Sequence, residues 1–116
     1  MQTTNQTRRA SGSERKVFPT IEVIVYRPGS PPEDRTISAG GFLAEAQAIV
    51  GGWVEAVLTE RPNLILLCNE VGRIHRLPYN RWELVGTFLA IGARRGKPRS
   101  LTPEDRAFLN AKNGER

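Results

Sequence analysis

The first hydrophobic segment alternates. Thr20–Arg27 reads TIEVIVYR, with Ile21, Val23 and Val25 on one face and Glu22, Ile24 and Tyr26 on the other. A strand is predicted, with one face apolar throughout and the second partly covered. PGSPPED then sets three prolines in seven residues, a loop and not a strand interior. Arg35–Ser38 resumes as a hairpin return. From Gly40 to Val50 the period changes to helical. Phe42, Leu43, Ala46, Ile49 and Val50 make one stripe, Ser38 is the expected N-cap, and Gly51-Gly52 is the stop. Three turns do not persist alone, so this helix must dock on a sheet.

Strand patterns dominate the middle. Trp53–Thr59 puts Val54, Ala56 and Leu58 on one side, and Glu60–Asn63 turns the chain into Leu64–Asn69, which is apolar on both faces and reads as a central strand. Glu70-Val71-Gly72 is a tight turn, Arg73–Arg76 a short strand, Leu77–Asn80 a loop, and Leu84–Ala93 the last long strand. Arg94–Arg99 is a basic loop. The closing helix has the clearest start: Thr102 as N-cap, Pro103 in the first turn and Asp105 at the capping-box position, with Leu101, Phe108 and Leu109 as anchors and Gly114 as the end. The order β-β-α-β-β-β-β-α predicts an α+β fold: a mostly antiparallel, hairpin-built sheet of five to six strands with two short helices on one face. One domain is expected over 19–113, behind a polar tail, 1–18, too poor in apolar residues to order.

Charge changes this picture only locally. The net charge is +5, but Arg8, Arg9, Arg15 and Lys16 in the tail and Arg94, Arg95, Lys97 and Arg99 in the basic loop hold eight of the 17 basic residues. The rest of the chain is slightly acidic, so the positive field belongs to one tail and one loop. No apolar run is long enough for a membrane span, and no secretory signal follows the first residues, so a cytoplasmic protein without membrane contact is expected.

The chemistry on offer is sparse. One cysteine and one histidine exclude a disulfide framework and cannot supply a zinc tetrahedron in a monomer. No phosphate loop or dinucleotide fingerprint is present. Cys68, Glu70 and His75 are the nearest set of catalytic residue types, but no third orienting group or oxyanion donor accompanies them. No catalytic residue, metal site or cofactor is therefore assigned. Two surfaces remain. Arg8, Arg9, Arg94, Arg95, Lys97 and Arg99 could contact phosphates, with Tyr79 and Trp82 stacking on bases. Trp53, Trp82 and exposed strand edges suit a protein interface.

A set of short segments, VGGWVEAV, LLCNEVGRIHRLPYNR, VGTFLAIG and SLTPED, resembles a domain of unknown function (number 3846) of phages and bacteria. The resemblance runs over about residues 20–105. It rests on Val50, Gly51, Gly52, Trp53, Glu55, Asn69, Glu70, Gly72, Arg73, Leu77, Pro78, Asn80, Arg81, Gly86 and Thr87. It implies a small protein associated with mobile elements and no established activity. This chain departs from the pattern by a shorter link between Arg81 and Gly86 and by its basic front extension. Within the shared set, Glu55, Asn69, Glu70, Asn80 and Arg81 are expected either to build loops or to line one shallow polar pocket for a small ligand. Taken together, the sequence predicts a non-catalytic binding or accessory protein acting through a protein partner or homo-oligomer. A nucleic-acid-binding protein is the first alternative and a nucleotide-binding or nucleotide-sequestering protein the second.

Overall fold

The structure, a computed structural model, describes residues 19–114. The predicted tail, with Arg8 and Arg9, lies outside the described residues. β1 (Thr20–Tyr26) and β2 (Glu33–Ser38) form the first hairpin, followed by α1 (Phe42–Val50). β3 (Val54–Leu58) and β4 (Leu64–Asn69) form the second, and β5 (Phe88–Arg94) and β6 (Lys97–Arg99) the third, before α2 (Pro103–Asn113). All six strands join one antiparallel sheet in the order β2-β1-β5-β4-β3, with β6 paired to β5.

The alternation in β1 sets the layers. Ile21, Val23 and Val25 point to one side, where they meet Ile37, Leu67, Leu89, Ile91 and the Ala46 and Val50 face of α1. Ile24 and Tyr26 point to the other, with Leu64, Leu66, Phe88, Leu101 and Leu109 of α2. The helices therefore cover opposite faces, not one face as predicted. The second face of β1, partly apolar in the sequence, is buried by α2. β4 and β5 are buried on both sides, as a central strand must be.

Helix ends follow their signals in part. Gly51 adopts φ 85° and closes α1, a left-handed cap that glycine takes without a Cβ penalty. Ser38 is not the N-cap. It ends β2, and its Oγ accepts from the Gly41 N–H at 3.3 Å while Gly41 occupies the cap position. α2 carries the complete capping box: Thr102 Oγ1 accepts from the Asp105 N–H, and the Asp105 carboxylate accepts from the Thr102 N–H, both at 3.0 Å.

Two strand boundaries are corrected. Arg73–Arg76 is part of a turn spanning 70–76 and not a strand. Leu84–Thr87 does not extend β5. Those residues return from a small hairpin in which Tyr79 bridges Val85, and its turn residues Trp82 and Glu83 both have left-handed φ (56° and 62°). The basic segment expected as a loop is itself a hairpin. Arg95 (φ 52°) and Gly96 (φ 77°) make the turn, as a two-residue connection of the primed type requires. No described helix is long and apolar enough to cross a membrane.

Candidate functional site

The residues shared with the family pattern hold the loops in place. Asn69 is buried at the end of β4. Its Nδ2 donates to Val50 O at 3.2 Å, and its Oδ1 accepts from the Val71 N–H at 2.9 Å, joining the end of α1 to the 70–76 turn. Asn80 Nδ2 donates to Tyr26 O and Gly86 O, both at 2.8 Å, and so fastens the 79–85 hairpin to the end of β1. Arg81 donates to Asn113 Oδ1 and to Ser30 O, with its guanidinium 5.2 Å from the centre of the Tyr26 ring. These polar groups are spent on backbone and side-chain partners inside the chain.

They do not share one pocket. Glu55, Asn69 and Glu70 line a hollow of about 140 Å³ with Arg73 and Ile74. Asn80 and Arg81 line a separate open trough with Pro31, Pro32 and Tyr79. The predicted single polar site thus divides into two. Cys68 opens on the first hollow. Burial, then the Glu55 carboxylate, push its thiol pKa up against a smaller downward pull from Arg73. His75 is exposed in the 70–76 turn and does not line that hollow. Among the described residues, no group of three His, Cys, Asp or Glu side chains could hold a metal ion.

The nucleic-acid set also divides. Arg94, Arg95 and Lys97 stand exposed at the β5–β6 hairpin tip, and Tyr79 is exposed on its own hairpin. Trp82 is half-buried and packed within the chain, not a free stacking platform. It packs at 5.0 Å edge-on to Tyr26 and 5.7 Å from Phe88, and its Nε1 donates to Lys112 O at 3.3 Å. Arg99 is not a phosphate contact either. It crosses β5 over Gly92, where a Cβ would lie 2.2 Å from its Nη1 and 2.8 Å from its Cγ. Beyond that crossing it donates to Asp105 Oδ2 at 2.8 Å, while Arg61 Nε donates to Asp105 Oδ1 at 2.7 Å. Asp105 is 0% exposed, a buried carboxylate satisfied by two arginines and an N-cap amide.

The two sheet edges differ in kind. β2 is charged, with Glu33, Asp34 and Arg35 in its first half. Arg27 pairs with Glu33, and Arg106 of α2 pairs with Asp34. Such an edge resists pairing with another strand. β3 pairs only with β4 among the described strands, and no arginine or lysine lies along it. Trp53 (70% exposed) precedes it and Leu58 (80% exposed) ends it. Ile74 (77% exposed) stands on the hollow next to Glu55. The ladder also leaves backbone groups facing out. Glu70 N donates to Trp53 O at 2.8 Å, which makes residues 53, 55 and 57 the hydrogen-bonded partners of β4. The N–H and C=O groups of Val54, Ala56 and Leu58 therefore point away from the sheet. On the α2 side, a hollow of about 380 Å³, with Val57, Leu66, Trp82 and Leu84 on its floor and Thr59, Glu60 and Lys112 at its rim, runs beside this edge. Sequence reasoning named Trp53 and the idea of an open edge. It missed Leu58 and Ile74, which its periodicity made indistinguishable from core positions.

The fold and this edge define a small α+β protein: one antiparallel sheet between two helices, closed by charge on one side and open along β3. The chain matches the family described as Domain of unknown function (DUF3846) over residues 21–112 and belongs to that family. No curated protein and no solved structure matches it.

Proposed function

We propose that this is a non-catalytic binding protein, an accessory factor of a phage or other mobile element working in the cytoplasm, and that β3 is where it meets another protein chain. The observation that carries the proposal is the contrast between the two edges. Charge and ion pairs cover β2. β3 offers outward-facing N–H and C=O groups at Val54, Ala56 and Leu58, flanked by exposed Trp53, Leu58 and Ile74. An extended segment added to such an edge gains main-chain hydrogen bonds, and its alternate side chains enter the adjoining hollows. The polar residues of the family pattern support this division of labour, because their hydrogen bonds are made within the chain.

Ala56→Pro tests it. The Ala56 N–H makes no bond to β4, so proline costs the sheet little at this position, but it removes a central outward donor and puts a ring in a partner's path. Proteins captured by the wild-type chain are expected to be lost with Ala56→Pro and retained by a chain with Arg94, Arg95 and Lys97 changed to alanine. The reverse pattern, with a salt-steep shift of DNA or RNA abolished by the triple alanine change, contradicts the proposal and favours nucleic-acid binding through the hairpin tip.

A further inference from the structure

The geometry points to a second copy of this chain as the occupant of the β3 edge, paired antiparallel about a two-fold axis through Ala56. This rests on the reading of β3 as the interaction edge and adds the identity of the partner and the register. A two-fold pairing sets each residue of one strand against a residue of the same strand in the other copy. Centred on Ala56, it sets Val54 against Leu58 of the second copy, Ala56 against Ala56, and Leu58 against Val54. These are the three residues whose N–H and C=O groups face outward. Each therefore meets an outward-facing residue, and the seam closes with about six main-chain hydrogen bonds. A register shifted by one residue would set outward groups against inward ones.

The side chains agree with the same register. Val54, which packs on the α1 side, shares its face with Ala56 and Leu58 by the alternation of the strand, so that face of the seam is apolar in both copies. The smallest side chain sits on the axis, where the residue meets its own copy. On the α2 side Glu55 lies opposite Val57, so no two like charges face each other directly. Trp53 falls opposite Thr59. The area is that of a transient contact. Residues 53–59 at ~3.4 Å each give a seam of about 24 Å. With a sheet ~10 Å thick, that buries on the order of 500 Å² over the two copies. Each Trp53, already partly buried, adds less than the roughly 150–250 Å² of a fully buried aromatic side chain. The sum stays under ~1,000 Å², the range of weak and transient contacts, so the dimer forms and dissociates with concentration.

Cysteine placement in the full-length chain tests the register, with the buried Cys68 changed to alanine. Opposed residues of a hydrogen-bonded antiparallel pair lie ~5.5 Å apart at Cα, within disulfide reach. Ala56→Cys alone is expected to give an oxidised dimer. Val54→Cys and Leu58→Cys are each expected to stay monomeric alone and to cross-link when mixed. In light scattering, the wild type is expected to rise with concentration from 12.9 kDa towards twice that mass. Ala56→Pro is expected to weaken this association on the order of tenfold or more. Equal cross-linking at all three positions, or a mass fixed at 12.9 kDa at every concentration, overturns the inference. If the mass stays fixed while Ala56→Pro still abolishes capture of a different protein, the edge stands and the second copy falls. If Ala56→Pro changes neither measurement, both fall.

Discussion

Replacing Asp105 with alanine is expected to destabilise the protein by about 3–4 kcal/mol, read as a lower denaturant midpoint at neutral pH. The carboxylate is fully buried and accepts from Arg61, Arg99 and the Thr102 N–H, so one substitution removes the acceptor for two arginines and half of the α2 capping box. Both arginines keep a partly exposed side chain and can turn to water, which holds the loss below that of a fully enclosed ion pair. The same site gives a pH signature. Burial pushes the Asp105 pKa up, but the hydrogen bonds from Arg61, Arg99 and Thr102 outweigh it and hold the carboxyl down at about 2, against 3.8 for an ordinary aspartate. The folded value lies below the unfolded one, so the folded state binds the proton less readily. The stabilisation is complete above about pH 4 and is lost as pH falls towards 2. A shift of this size corresponds to about 2 kcal/mol. Denaturation of the wild type at pH 5 and pH 2 should differ by that much more than in Asp105→Asn, which has no carboxylate to titrate. Equal acid sensitivity in the two proteins contradicts the account of this network.

Phe88→Ala is expected to cost about 4 kcal/mol. Phe88 is 0% exposed at the start of β5, stacked on Tyr26 with ring centres 5.0 Å apart and tilted against Trp82 at 5.7 Å. Truncation leaves a cavity under both neighbours and removes two aromatic pairings. It also loosens the packing that holds Trp82 at φ 56°, a conformation bulky residues rarely keep without support. In a Trp53→Phe background, which leaves Trp82 as the reporting indole, the variant should show a red-shifted emission in the native state alongside the lower midpoint. An unshifted spectrum with near wild-type stability contradicts the assignment of Trp82 to the α2-side core.

Much of the architecture was legible because local signals agreed with the tertiary solution. The alternation of β1, the doubly apolar β4, the Gly51 stop and the Thr102–Asp105 cap each follow from residues within one element. The failures lie where the deciding partner is distant. Nothing within RRGKPR says that Arg99 is claimed by Asp105 and Arg61, since the two partners come from different elements and the crossing depends on Gly92 in the neighbouring strand. The 79–85 hairpin was unreadable for another reason. Its turn uses Trp82 and Glu83 at left-handed φ, where asparagine and glycine are the usual signal, and the aromatic cluster with Tyr26 and Phe88 fixes it. The placement of the helices on opposite faces was foreshadowed by Ile24 and Tyr26 in β1, yet needed the position of Leu109 to be decided. The open edge was the least visible feature. Val54, Ala56 and Leu58 have the same alternation whether a strand is covered or bare, and only the sheet order leaves β3 at the rim.

Amide exchange along β3, measured for the dilute chain and again under conditions in which it associates, tests the role of this edge most directly. In the dilute chain, Val54, Ala56 and Leu58 should exchange quickly, while Glu55 and Val57, bonded to β4, stay protected. On association the three fast amides should slow together, restoring protection along the whole strand. Unchanged exchange at those three positions, with new protection at Arg94–Lys97 or none at all, would contradict β3 as the surface through which this protein meets another chain.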